Sequence, residues 1–280
     1  MKALSFASYA LAAALAVLVL LHALVYFAQE RMIFFPQPLD AAMPAAVRKA
    51  QPDAREVELP TPDGQRLRGW FLPNGGKGAA LIYFGGNAEE VSGAALEAAA
   101  LRGISLVLFD YRGYGRSTGE PGERALFGDA LAIYDFTASL PGVDRSRIVA
   151  MGRSLGSGVA AYLASQRPVA AVVLVTPYDS MAALARTHYP YLLAGPLLRH
   201  RFDSASRART IDAPMLALLA GADTIVPPAR GEALARAWRG PATVVVLPAA
   251  GHNDIGFHAA YWTTIRQFLR KTGADLVFLT

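Results

Sequence analysis

The chain has 280 residues, 53% of them hydrophobic, and a net charge of +5 from 27 basic and 22 acidic side chains. That length suits one catalytic-sized domain with an appendage, and that apolar content excludes a globally disordered chain. Cysteine is absent, which excludes disulfides, thiolate metal sites and a cysteine nucleophile together.

Residues 3–29 contain no carboxylate, Lys or Arg, and Tyr9 to Phe27 is nearly all Ala, Leu and Val. A bilayer core needs about 20 helical residues, so residues 1–29 are expected to form a membrane-spanning helix. A cleaved signal peptide has a shorter apolar run and a small-x-small end. Here bulky Tyr26 stands two residues before Ala28. The segment therefore reads as an uncleaved single-pass anchor. Tyr26, Phe27, Phe34 and Phe35 resemble an interfacial aromatic belt. Lys2 on one side faces Arg31, Arg48 and Lys49, partly offset by Glu30, on the other, so the side of the membrane stays open.

Residues 30–54 carry Pro36, Pro38, Pro44 and Pro52 and read as a linker. Strands and helices then alternate over residues 55–280. Arg55–Leu59 and Leu67–Leu72 flank a Pro62-Asp63-Gly64 turn and predict an antiparallel start. Strands follow at Ala79–Phe84, Ile104–Phe109, Arg147–Met151, Ala171–Val175, Met215–Ala220 and Thr243–Leu247. Helices are predicted at Glu89–Leu101, Glu123–Leu140, Leu155–Gln166, Ala229–Arg239 and His258–Lys271. Continuous apolar strands separated by helices imply an α/β fold, a mostly parallel eight-stranded sheet covered on both faces. Residues 177–210 break the period and read as a small cap insert, with an inner side of Tyr189, Tyr191, Leu192, Leu193, Leu197 and Leu198. Its basic residues, Arg186, His188, Arg199, His200, Arg201, Arg207 and Arg209, read as a solvated face.

The strongest motif is Gly152-Arg153-Ser154-Leu155-Gly156, between a strand and a helix. There a sharp turn lifts the Ser hydroxyl above the sheet, and a side chain at either glycine would collide where strand and helix nearly touch. A Ser hydroxyl needs a base, and the base needs an orienting acid. In folds with this turn the chain order is Ser, Asp/Glu, His. His252 in Ala250-Gly251-His252-Asn253 and Asp223 in Gly221-Ala222-Asp223 both follow strands, at the edge where open α/β sheets carry their sites. Asp179 is the competing acid, and Asp254 reads as a turn residue. Two N–H donors are needed for an oxyanion. Leu155 follows the Ser directly, and Asn87 lies in the Gly85-Gly86-Asn87 loop after Ala79–Phe84.

The chain resembles membrane-anchored α/β-hydrolases related to the prolyl-oligopeptidase and palmitoyl-protein thioesterase branches. The matching pieces are Met32 to Pro36, Gly86 to Glu89, Asp110 to Ser117, the Ser154 turn, Gly221-Ala222-Asp223 with Val226-Pro227, and Gly251-His252. Family members usually carry a His before the Gly-Asn pair, where this chain has Gly85. The Asp110–Ser117 stretch reads as a tight loop, with Asp110 bonding backbone or Arg112. The expected activity is hydrolysis of an ester or thioester with no metal or cofactor. A peptidase or acyltransferase would use the same residues, and a non-catalytic membrane-anchored binding protein is the rival of a different class. Only four basic residues are lysines and no basic run appears, so the high pI is not read as nucleic-acid binding.

Overall fold

A computed structural model of the chain describes residues 2–73, 78–101, 103–190 and 197–273. The first helix, α1 (Lys2–Ile33), is followed by α2 (Met43–Ala50), β1 (Arg55–Pro60), β2 (Arg66–Leu72), β3 (Gly78–Phe84) and α3 (Ser92–Leu96). Then come β4 (Ser105–Phe109), α4 (Glu123–Ser139), β5 (Val143–Arg153), α5 (Leu155–Gln166) and β6 (Ala171–Val175). The chain continues through α6 (Met181–His188), α7 (Ser204–Ala208), β7 (Met215–Ala220), α8 (Pro228–Ala237), β8 (Ala242–Leu247) and α9 (Tyr261–Lys271).

The strands form one eight-stranded sheet in the order β1-β2-β4-β3-β5-β6-β7-β8. β1 with β2 and β2 with β4 are antiparallel, and every later pair is parallel. The chain reverses direction across the sheet around β3 and β5, so the loops after these strands open at a switch point, where α/β sheets offer a crevice. Residues of α4, α5 and α8 cover one face and residues of α2, α3 and α9 the other. This double cover explains why β3, β6 and β7 are buried at every position rather than alternating.

Four expectations need correction. The linker holds an eight-residue helix, α2, with Pro44 in its first turn; proline there loses no intrahelical bond. The helix expected over 89–101 is split into α3 and a 3₁₀ segment, Glu97–Leu101. The last helix begins at Tyr261, three residues after His258. α1 does not stop at residue 29 but runs on to Ile33, where Ile33 and the next residue, Phe34, are buried against the domain. Phe6–Ile33 is long and apolar enough to cross a membrane, with mean hydropathy 2.5 over an 18-residue window.

The insert is pinned at its base. Both oxygens of the Glu123 carboxylate, at the start of α4, accept backbone N–H groups, from Arg201 at 2.6 Å and Phe202 at 3.0 Å. Its basic residues are only partly a solvated face. Arg186, Arg201 and Arg209 are exposed, but Arg199 pairs with Glu30 at 3.1 Å, and Arg207 lies over the Phe127 ring. Tyr191, Leu192 and Leu193 lie outside the described residues.

Asp110 bonds backbone: its carboxylate accepts the Val91 N–H at 3.0 Å. Arg112 instead forks onto Asp129, with two bonds of 2.7 Å, and reaches Asp63. Burial, with the neighbouring Glu90 carboxylate, pushes Asp110 up from 3.8 to about 8. Between those values the folded chain holds a proton that the unfolded chain has released, so this group lowers stability as pH rises through the window. The thermal midpoint of Asp110→Asn should therefore fall less than that of wild type between about pH 4 and pH 8. Parallel curves would contradict this assignment.

Candidate active site

β5 ends at Arg153 and α5 begins at Leu155, leaving Ser154 as the single residue that turns the chain. Its backbone is left-handed, with φ 50° and ψ −116°. A non-glycine residue there is strained by about 1–3 kcal/mol and persists only where the surroundings impose it. Two close approaches impose it. A Cβ on Gly152 would lie 2.1 Å from the Gly156 carbonyl oxygen, and one on Gly156 would lie 2.1 Å from the Phe84 carbonyl oxygen. The Ser154 N–H is held by the Val175 carbonyl at 2.9 Å, across to β6.

Asp223 and His252 come from the loops after β7 and β8. One Asp223 oxygen accepts the N–H groups of Ile225 and Val226 at 2.8 and 2.7 Å. The other contacts Nδ1 of His252 at 2.7 Å. Nε2 of His252 stands 2.9 Å from Oγ of Ser154. All three side chains are buried. The structure thus brings these sequence candidates into one hydrogen-bonded line.

Asn87 and Leu155 line the same cavity as Ser154 and His252, a space of about 550 Å³. Leu155 occupies the first turn of α5, where backbone N–H groups have no intrahelical acceptor. A Cβ on Gly86 would lie 3.9 Å from the Ser154 Cβ, so the loop after β3 runs directly beside the nucleophile candidate. Asn87 is fixed through its carbonyl, which accepts the Tyr114 hydroxyl at 2.6 Å and the Phe35 N–H at 3.0 Å.

Other candidates fall elsewhere. Asp179 pairs with Arg230 at 3.3 Å. Asp254 accepts the Gly251 N–H and closes the turn that contains His252. His188 contacts the Ile225 carbonyl at 2.8 Å on the cavity rim, and His200 meets the Glu123 N–H.

Two residues without a sequence-assigned role hold the site together. Glu89 accepts the Gly86 N–H at 2.8 Å, the Tyr83 hydroxyl at 2.7 Å and Arg153 at 3.2 Å. Arg153 also reaches the His252 carbonyl at 3.3 Å. The glycine loop, the Ser154 turn and the His252 loop therefore share one half-buried ion pair. Burial, followed by the Glu89 charge, pushes the Tyr83 phenol well above its ordinary value, so it serves as a donor. Burial opposes the Arg153 charge, but Glu89 outweighs it together with smaller contributions, and the guanidinium is held above its usual value. The signal was present in Gly86 to Glu89 and in the residue preceding Ser154, but only the fold joins them.

The family profile of the α/β hydrolase fold matches residues 81–198. An uncharacterized protein of Mycobacterium tuberculosis is 40% identical over 254 residues, which cover 89% of each chain. The α/β-hydrolase domain-containing protein WAV2 of Arabidopsis thaliana is 30% identical over 278 residues, 89% of this chain and 90% of that protein. Among solved structures, the Pyrococcus furiosus esterase Pf2001 superposes with a TM-score of 0.67 at 18% identity, over 86% of this chain and 97% of its own. Acetyl xylan esterase 1 of Thermoanaerobacterium sp. gives 0.61 at 19%, over 87% and 98%. These two likenesses speak for the fold alone. The fold, the turn at Ser154 and the extent of identity with its relatives agree: this chain belongs to the α/β-hydrolase family.

Proposed function

We propose that the chain is a membrane-anchored serine hydrolase that cleaves an ester or thioester through Ser154, His252 and Asp223. The observation that carries this reading is the hydrogen-bonded line from Asp223 through His252 to Ser154, at 2.7 and 2.9 Å, on the wall of a mostly apolar cavity. A binding protein would have no need of a strained Ser with a buried base and acid. Two of the similar structures are named esterases, in keeping with this chemistry.

In the proposed reaction, Nε2 of His252 takes the Ser154 proton as Oγ attacks the acyl carbon. Asp223 holds the imidazole in the productive tautomer and stabilises its positive charge. The N–H groups of Asn87 and Leu155 receive the oxyanion, aided by the N-terminus of α5. The leaving group departs with the proton from His252, and water then releases the acyl group. The apolar lining favours an acyl substituent over a peptide.

The domain division follows the same logic, with its first boundary moved to the end of α1: the helix to Ile33 as anchor, the approach with α2 up to residue 54, and 55–280 as hydrolase domain with 177–210 as its cap. The continuity of α1 into the domain supports a retained anchor. The relation to the prolyl-oligopeptidase and palmitoyl-protein thioesterase branches rests on the motif pieces, and three of these, around Phe35, Asn87 and Tyr114, are hydrogen-bonded to one another.

A fluorophosphonate probe should label the full-length protein, and Ser154→Ala should abolish labelling and lower ester turnover by at least about 10⁴-fold. An unlabelled wild type, or an equally labelled Ser154→Ala, would overturn the reading. Glu89→Gln removes the charge that holds Arg153 and loosens the oxyanion loop. Its kcat should fall by about 10- to 100-fold with KM little changed, since a small misplacement costs that much. A wild-type kcat in this variant would deny Glu89 a positioning role.

A further inference from the structure

The cavity above Ser154 is not enclosed by the hydrolase domain and its cap alone. Val25, Gln29, Met32 and Ile33 of α1 line it, together with Met181 and Leu184 of α6. Their spacing places them on one helical face. Exposure along α1 follows the same division. Residues 6–21 are exposed throughout, whereas His22, Val25 and Tyr26 are half-buried and Gln29 and Ile33 are buried.

The helix end is fastened to the site on two sides. Toward the cap, Oε1 of Gln29 accepts the Arg199 N–H at 2.7 Å, Glu30 pairs with the Arg199 guanidinium at 3.1 Å, and that guanidinium lies over the Tyr26 ring. Toward the oxyanion loop, the Phe35 N–H reaches the Asn87 carbonyl just after the helix ends. The cavity wall therefore does not depend on a loosely tethered helix.

Helical rise sets the depth. About 20 residues at about 1.5 Å each cross a hydrocarbon core of about 30 Å. Counted from Ala3, the first residue of the uncharged run after Lys2, such a span ends near His22, about one helical turn before the cavity wall begins at Val25. The lipid-facing surface and the cavity wall are thus successive stretches of one helix.

We propose that α1 is part of the substrate site. On the hydrolase reading above, the substrate is a single-chain acyl ester lipid that enters sideways from the bilayer between α1 and α6. Its acyl chain reaches Ser154 without crossing water. A cavity of about 550 Å³ lies within the range of about 300–1,000 Å³ for small-molecule sites, which suits one chain. Hydrolysis forms the Ser Oγ–acyl bond as the ester C–O bond breaks and the alcohol leaves with the His252 proton. Water then releases the free fatty acid.

The test uses full-length protein in phosphatidylcholine vesicles and compares p-nitrophenyl palmitate with p-nitrophenyl acetate. Val25→Trp fills the bilayer end of the cavity. Its palmitate-to-acetate ratio of kcat/KM should fall at least about tenfold, the scale on which a pocket senses chain volume. Leu20→Trp, on the exposed stretch of the helix, should keep the wild-type ratio. An unchanged ratio in Val25→Trp, or an equal fall in Leu20→Trp, overturns the inference. A wild type inactive on both esters and unlabelled by a short fluorophosphonate instead defeats the hydrolase reading itself. A second measurement needs no variant. A hexadecyl fluorophosphonate with a terminal diazirine, bound to wild type and photolysed, should crosslink within residues 22–33. Crosslinks confined to α6 and the Ile225 loop would overturn the inference.

Discussion

The close approach of α5 to the end of β3 decides the geometry of the whole site. Gly156 stands so near the Phe84 carbonyl that a methyl group there would overlap it. A helix pressed that tightly to the neighbouring strand leaves one residue in which to turn, and Ser154 takes the left-handed conformation the turn requires. The strain is modest, about 1–3 kcal/mol, and is offset by the Ser154 N–H bond to β6 and by the buried packing of α5. In return, one contact sets both the direction of the hydroxyl, into the cavity, and its nearness to the glycine loop after β3. A larger residue at position 152 or 156 would disturb the hydroxyl and the loop together.

That loop is then clamped on both sides. On one side the Asn87 carbonyl gathers the Tyr114 hydroxyl and the Phe35 N–H. On the other, Glu89 binds the Gly86 N–H and faces Arg153, which in turn reaches the His252 loop. Donors aimed at developing charge are useful only if they do not have to reorganise during the reaction. In the proposed mechanism the two clamps would meet that condition with groups that do not touch the reacting atoms. They also give the residues just after α1 a structural reason to stay close to the site.

Much of the sheet was legible because its physics is local. Double-sided burial turns each inner strand into a short apolar run, and such runs marked β3, β4, β6 and β7 to within a residue or so. The Ser154 turn was legible because Gly152 answers to an overlap with Gly156 inside the strand–turn–helix itself, while Gly156 answers to the neighbouring strand β3. Less local features were hidden. Pro44 obscured α2, because a proline that starts a helix looks the same in sequence as one that prevents it. The split of the 89–101 helix, which becomes 3₁₀ from Glu97, has no breaker residue to announce it. Glu89 and Arg153 are 64 residues apart and become partners only when β3 and β5 lie side by side. The docking of Gln29 on Arg199 spans 170 residues and could not be read from either end.

The central claim is that Ser154 carries the acyl group between two half-reactions. The most direct measurement is rapid acid quenching of the full-length protein with a p-nitrophenyl ester, followed by peptide mass mapping. A p-nitrophenol burst close to the enzyme concentration is expected, with an acyl mass increase confined to the peptide containing Ser154. Steady turnover with no burst and no acylated peptide, or with the acyl group on another residue, would contradict it.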